Sequence, residues 1–550
     1  MQQDKLIQST PSAYGYPLLI KQLLHTPLAV APDQEIVYAD KQRYTYRQFA
    51  GRIQRLGHAL SRHGVDFGKT VAVMDWDSHR YLECFFAVPM LGAVLQTVNI
   101  RLSPDQILYT INHAGADVLL VNREFLPILE QIRNELSTVK TFILLSDEEA
   151  ALPEGFLVEY EALLAASSNE FTFPDFDENT RATTFYTTGT TGQPKGVYFS
   201  HRQLVLHTLA VTAALGIAPE QGRFHRDDVY MPLTPMFHVH AWGIPYVATM
   251  AGVKQVYPGR YQPATILKLI AQEKVSFSHC VPTILHMLLS SPESAAIDLS
   301  GWKVVIGGSA LTTALAQATL KRGIDVFTGY GMSETCPILT LAHLDTADLA
   351  ASSEDQASVR TKTGRPIPLV NLQTVDGAML PTPRDGRSTG EIVVRAPWLT
   401  QGYLNDQEAS EELWEGGWLH TQDVGHIDAS GYLQVTDRIK DVIKTGGEWV
   451  SSLELEDLIA RHPAVNEAAV IAMPDEKWGE RPYALVVLKA DFARKVSDED
   501  IKAHVRRFAE SGHISKYGVP EQVRFVTQLT RTSVGKLNKR ALREQSGATS

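Results

Sequence analysis

Cysteine is scarce: Cys84, Cys280 and Cys336 are the three in 550 residues, far apart and forming no CxxC. That spacing excludes a disulfide framework and a cysteine-rich zinc site, and it fits a reducing cytosol. Long apolar runs are missing too. Segments such as Phe85 to Val98 are apolar but short and carry Pro89, well under the roughly 20 residues that cross a bilayer. The opening stretch, Met1 to Tyr16, mixes Asp4 and Lys5 with polar residues and lacks the apolar core of a secretory signal. There is no cationic excess either: 51 Lys and Arg face 62 Asp and Glu, a formal net charge of −11, which argues against a surface built for nucleic acid or anionic lipid. No internal repeat stands out, and a Ser- and Ala-rich stretch from Ala347 to Ser358 reads as a surface loop. The expectation is a cytoplasmic protein without a nucleic acid partner or an integral membrane segment.

What is present is the balance of a globular protein, with 44% apolar and 21% charged residues. At this length two or more domains are expected. From Lys69 onward β-branched runs alternate with helix-like stretches: Thr70 to Met74 as strand, Ser78 to Leu91 and Ser103 to His113 as helices, Val118 to Val121 as strand. The rhythm returns at Val304 to Gly308, Thr312 to Lys321 and Asp325 to Thr328, so the bulk is α/β with a largely parallel sheet. Between Gly364 and Tyr403 the texture becomes short strands and turns rich in Pro, Asp and Gly, a β-rich subdomain. A hinge is placed at 437–442, and the last hundred or so residues restart a smaller pattern.

The strongest local signal is Tyr186-Thr187-Thr188-Gly189-Thr190-Thr191-Gly192-Gln193-Pro194-Lys195-Gly196. Hydroxyls, close-approaching glycine backbone and one cation offer donors to polyphosphate oxygens. Pro194 stands before Lys195 where the kinase and GTPase P-loop needs Gly-Lys-Ser/Thr, so that fold is excluded.

This turn resembles that of the adenylate-forming superfamily, which comprises acyl-CoA synthetases, firefly luciferase and peptide-synthetase adenylation domains, and the likeness recurs in order along the chain. It implies a large N-terminal domain over 1–436 with mixed α/β sheets plus a β-rich subdomain, a linker at 437–442 and a small mobile α+β domain over 443–550. By the same resemblance, Thr187, Thr188, Gly189, Thr190, Thr191 and Lys195 cradle the phosphates of ATP, and Gly308 and Ser309 border the adenine site. Gly329-Tyr330-Gly331-Met332-Ser333-Glu334 is similar to the segment whose ring stacks on adenine, with Glu334 and Thr190 as Mg2+ ligands. Trp418 to Gly425 matches the motif whose acid, Asp423, binds the ribose hydroxyls, although Gln422 stands where relatives usually have Gly. Asp437-Arg438-Ile439-Lys440-Asp441 resembles the hinge, with Arg438 on the nucleotide and Lys440 at the pivot. The following loop, Lys444, Gly446, Gly447, Glu448 and Trp449, is implied on the coenzyme A side. Arg531 to Lys536 resembles the segment that delivers a catalytic lysine, Lys536, with Thr530 where relatives usually carry Pro.

Pro235-Met236-Phe237-His238-Val239-His240-Ala241-Trp242 bears on the acid. No acidic residue lies between Met231 and Val253, so nothing there pairs with a substrate ammonium. The string is closest to medium- and long-chain fatty-acyl-CoA synthetases, which implies His238 near the substrate carboxylate, Val239, Trp242 and Gly308 around the acyl chain, and Trp242 as a gate. The apolar run Gly243 to Val253 is expected to line that channel. The implied activity is AMP-forming ligation of a fatty acid to coenzyme A; a short-chain or substituted acid, or another acceptor, is the alternative. Long-chain relatives also suggest a homodimer.

Overall fold

The computed structural model describes residues 6–149, 151–187, 193–445, 448–492, 495–512, 514–531 and 537–547, without the side chains of Glu448 and Trp449. Two large sheets carry the chain. In the first, seven strands run in the order Val158–Glu159, Thr141–Leu145, Val118–Asn122, Thr70–Met74, Val94–Thr97, Arg181–Tyr186 and Gly196–Ser200. All neighbours are parallel except the last pair, which forms a hairpin around the Thr/Gly turn. The second sheet has nine strands. Its parallel heart places Lys254–Tyr257, Val229–Pro232, Phe277–Cys280, Lys303–Ile306 and Asp325–Gly331 side by side. These strands are buried along most of their length, as strands covered on both faces are.

Ser78 and Ser103 explain where two of the expected helices begin. Each side chain accepts a hydrogen bond from a first-turn amide, at Tyr81 and Gln106 respectively, the bond that satisfies an otherwise orphaned donor. The helix His79–Met90 is buried on every side. It supports the acid-side segment: the Phe85 ring stacks on Tyr246 at 5.5 Å, and the Tyr246 hydroxyl donates to the Phe85 carbonyl.

A four-stranded antiparallel sheet follows, Asn371–Val375, Gly390–Arg395, Leu419–Ile427 and Leu433–Arg438, where the β-rich subdomain is expected. A last sheet joins Glu448–Val450, Ile443–Thr445, Gly479–Leu488, Val465–Asp475 and Gln522–Phe525. No helix among the described residues is long and apolar enough to cross a membrane.

Two expectations need correction. Ala347 to Ser358 is not a loop: it holds the helices Thr346–Leu349 and Ser353–Arg360. Ser352 caps the second by accepting from the Asp355 amide, Glu354 and Asp355 sit in its positive first turn, and Ala357 and Arg360 anchor it inside. The strand expected over Val304 to Gly308 ends at Ile306, because Gly308 turns into the left-handed region at φ 77°.

Gln422 stands in the left-handed region at φ 57° on an exposed edge of its strand, which explains why glycine is usual there. A left-handed non-glycine residue costs about 1–2 kcal/mol, and glycine returns part of that through its larger unfolded-state entropy. We expect Gln422→Gly to raise stability by about 0.5–1 kcal/mol, read as a later first transition in thermal unfolding; an earlier one would refute the strain.

Candidate active site

Consecutive parallel strands of the second sheet deliver the site from their carboxyl ends, where open α/β sheets place ligands. Val229–Pro232 runs into Leu233 to Trp242, Phe277–Cys280 into Val281 to Thr283, and Lys303–Ile306 into Gly307 to Ser309. Asp325–Gly331 carries Tyr330 itself. Between these loops lies a cavity lined by His238, Trp242, Tyr261, Thr283, Ile284 and Gly308, together with Arg101 and the Leu233–Pro235 segment. The space open to the centre of a water-sized sphere is ≈ 50 Å³, room for a few waters.

The loop that carries the tryptophan has an unusual backbone. Val239, His240, Ala241 and Trp242 all take positive φ, 48°, 55°, 47° and 59°, making a left-handed turn at a cost of about 1–2 kcal/mol per residue. Packing holds it. His240 is fully buried among the rings of Phe85, Phe185, Phe199 and Tyr246, and neither of its ring nitrogens has a hydrogen-bond partner. The Trp242 ring lies 5.0 Å from that of His279, while a Cβ at Gly307 would stand 2.9 Å from its Cη2. Only a glycine lets the indole sit there.

Burial pushes the imidazoles of His240 and His279 down to about 3, and that of His207 likewise, with the His240 charge as a smaller cause. All three are therefore neutral at physiological pH, and the cation among the cavity walls is Arg101. The apolar run after Gly243 forms the helix Ile244–Ala251, buried against the first sheet's helix rather than facing the cavity. Val239 is also buried and is not among the cavity walls.

On the nucleotide side, three elements meet at one carboxylate. The Tyr330 hydroxyl donates to Asp423 Oδ2 at 2.7 Å, and the Arg438 guanidinium approaches Asp423 Oδ1 at 3.3 Å. Burial, then the Asp423 charge, holds the Tyr330 phenol well above its ordinary value, so it stays a donor. Gly331 admits no side chain, since a Cβ would overlap the Pro337 carbonyl. Met332 precedes the short turn Ser333–Thr335, whose Glu334 is buried and accepts from the Tyr403 hydroxyl at 2.8 Å. Lys195 Nζ sits 4.6 Å from the centre of the same Tyr403 ring, a favourable cation–π distance. Thr187 and Lys195 close the neck of the Thr/Gly turn through Thr187 N–H to the Lys195 carbonyl and Lys195 N–H to Thr187 Oγ1.

The structure thus gathers Thr187, Lys195, Tyr330, Glu334, Asp423 and Arg438 into one region, with Gly308 and Ser309 exposed at the end of a neighbouring strand. Thr188, Gly189, Thr190, Thr191, Gly446, Gly447 and Lys536 lie outside the described residues, as do the side chains of Glu448 and Trp449. Lys440 is exposed beyond Arg438, and Lys444 is exposed on Ile443–Thr445, its amide donating to Glu480. Sequence reasoning missed Tyr403, which joins Glu334 to Lys195. Among the described residues no three His, Cys, Asp or Glu side chains group as a metal cage. Glu334 alone, a buried hard-oxygen donor, fits an Mg2+ that keeps most of its shell for phosphate oxygens and water.

The 437–441 stretch is tied to the segment that follows it by buried charge. Asp437 Oδ2 accepts from the Ser452 amide at 2.7 Å and from its hydroxyl, which in turn accepts from Lys539 Nζ. Lys539 also pairs with Glu456 at 2.8 Å, and Asp441 with Arg543 at 2.8 Å.

Comparison with known proteins agrees with this geometry. The family model described as AMP-binding enzyme matches residues 24–404, and its C-terminal domain model matches 454–536. A long-chain-fatty-acid–CoA ligase of Thermus thermophilus is 42% identical over 92% of this chain and 90% of its own. A 3-methylmercaptopropionyl-CoA ligase of Ruegeria lacuscaerulensis is 36% identical over 96% and 97%. The crystal structure of an anthranilate CoA ligase with anthranoyl-AMP superposes with a TM-score of 0.83 at 26% identity, covering 97% of this chain and 98% of that one. The two family matches and these relatives lead to one conclusion: the chain belongs to the AMP-binding enzyme family of the adenylate-forming superfamily, as an ATP-dependent, AMP-forming acid–CoA ligase.

Proposed function

We propose that this ligase activates a medium- or long-chain fatty acid. The observation that supports the reading is the cavity wall built by Trp242, Tyr261, Ile284 and Leu233, with the neutral imidazole of His279 behind the indole and no carboxylate between Met231 and Val253. Such a wall rewards an alkyl chain and offers nothing to an ammonium. The small space beside Trp242 also suits a short or thioether-bearing acid, as the name of the Ruegeria relative suggests. In that reading Trp242 stays in place; in the first it moves aside.

A carboxylate does not acylate a thiol directly, because oxide is too poor a leaving group. In the proposed sequence, a carboxylate oxygen attacks the α-phosphorus of ATP and pyrophosphate leaves, giving an acyl-adenylate. The coenzyme A sulfur then attacks the acyl carbon and AMP leaves with the bonding pair. Tyr330 stacks on adenine, Asp423 accepts from the ribose hydroxyls and Arg438 contacts the nucleotide, while Thr187 to Thr191 and Lys195 hold the phosphates. His238 orients the acid's carboxylate. An Mg2+ held by Glu334 and Thr190 supplies charge neutralisation for the phosphates. Lys536 places a cation on the oxygens that gain charge during the first step. The segment 443–550 turns about Lys440 within the 437–442 linker, withdrawing Lys536 and bringing Lys444 and the 446–449 loop to the thiol's path.

We expect Lys536→Ala to slow acyl-adenylate formation by about 100-fold or more, while supplied acyl-adenylate is still converted to thioester near the original rate. An equal fall in both half-reactions would overturn that role. For Trp242→Ala, the ratio of kcat/KM between long and short acids should change by about tenfold with the KM for ATP little altered. Loss of acid and ATP affinity together would mark the indole as structural. Pyrophosphate release across straight-chain, aromatic and sulfur-containing acids of about two to eighteen carbons tests the substrate class directly.

A further inference from the structure

One buried carboxylate near the cavity is absent from every role assigned above. Asp77 lies three residues beyond the carboxyl end of the strand Thr70–Met74 and is only 3% exposed. Its Oδ1 accepts the Met236 amide at 2.8 Å, and its Oδ2 accepts the Tyr261 hydroxyl at 2.6 Å. Its carbonyl accepts the Gly259 amide at 2.9 Å, the two residues forming an isolated bridge. A single residue from the first sheet therefore fastens two loops of the second. One is the Pro235 to Trp242 turn, held two residues before His238. The other follows the strand Lys254–Tyr257 and presents Tyr261. Both loops wall the cavity.

Tyr261 packs against the apolar cluster beneath the second sheet, and its hydroxyl is fixed separately, by Asp77. The tyrosine is partly exposed and sits on a loop, where a side chain with two free torsions ordinarily samples several rotamers. The short bond to a buried carboxyl group restrains that freedom. The same carboxylate, taking the Met236 amide, sets the entry of a turn that is strained on every residue from Val239 to Trp242. Tyr261 and Trp242 thus face one small space from two loops whose relative placement is fixed through Asp77.

We propose that Tyr261, pinned by Asp77, is a specificity-determining residue of this ligase, limiting the size of acid that fits beside Trp242, and that Asp77 is a positioning residue for both walls. The inference rests on the reading of the cavity as the acid's site. Removing the ring opens the site to bulkier acids, whereas freeing it without removing it blurs the limit. Substituting Asp77 by Asn leaves an oxygen for the Met236 amide and a polar partner for the phenol; substituting it by Ala leaves neither.

The test is acyl-CoA formation and pyrophosphate release by the full chain and its Tyr261→Ala, Tyr261→Phe, Asp77→Asn and Asp77→Ala variants, over straight-chain acids of about two to eighteen carbons, with KM measured separately for acid, ATP and CoA. For Tyr261→Ala, the kcat/KM ratio of the longest to the shortest accepted acid should rise by about tenfold or more, with both nucleotide KM values within about twofold. Tyr261→Phe and Asp77→Ala should shift the ratio the same way by about two- to fivefold, and Asp77→Asn should restore it. An unchanged acid profile in Tyr261→Ala overturns the inference, as does an effect confined to the KM for CoA, which would place Tyr261 on the thiol's path. If Tyr261→Ala does not fold, Tyr261→Phe decides alone. A wild-type enzyme that ignores fatty acids but accepts another acid class would refute the proposed substrate and leave the Tyr261 comparison readable with that class.

Discussion

The Asp423 carboxylate is the point at which two sheets are joined. Its two oxygens are engaged from different directions, by a phenol on the nine-stranded sheet and by a guanidinium at the end of the strand Leu433–Arg438. A buried acid must be paired to remain charged at modest cost. Asp423 and Arg438 face each other on neighbouring strands of the four-stranded sheet, and Tyr330 joins them from the nine-stranded one, so ring, acid and cation are positioned by the fold itself. Preorganisation of this kind converts folding energy into binding geometry. Glu334 repeats the arrangement on a smaller scale, with Tyr403 between it and Lys195.

Much of this was legible in the residues themselves. Apolar runs at strand length alternating with capped helices announced the parallel sheets, and Thr70–Met74 falls where the pattern placed it. The Thr/Gly turn, the Tyr330 segment and Asp423 were readable because glycines and charges at fixed offsets leave a local signature. Tyr403 left none, since its importance arises from pairing with Glu334, 69 residues away in the chain. Asp77 was silent for the same reason. The helices within 346–360 were misread because a Ser- and Ala-rich composition resembles a loop until a cap and two buried anchors are seen together. Nor does any propensity scale anticipate four successive left-handed residues from Val239 to Trp242. Only tertiary packing can sustain them.

The two halves of the site differ in dielectric character. Around Asp423, Arg438, Glu334 and Lys195 the groups are ionic and partnered. Around Trp242 burial has discharged the imidazoles of His240 and His279, and apolar side chains such as Leu233 and Ile284 share the wall. A molecule with a charged head and an apolar tail fits such a boundary without leaving either end poorly solvated.

The buried ties on either side of Lys440 have a geometric implication of their own. Asp437 is fastened to Ser452 and Asp441 to Arg543, and both partners belong to the C-terminal segment. Any rotation of the backbone between the two acids would part Asp437 from Ser452, leaving a buried carboxylate without its amide and hydroxyl donors. Those bonds therefore weigh the chain toward the one arrangement that closes them.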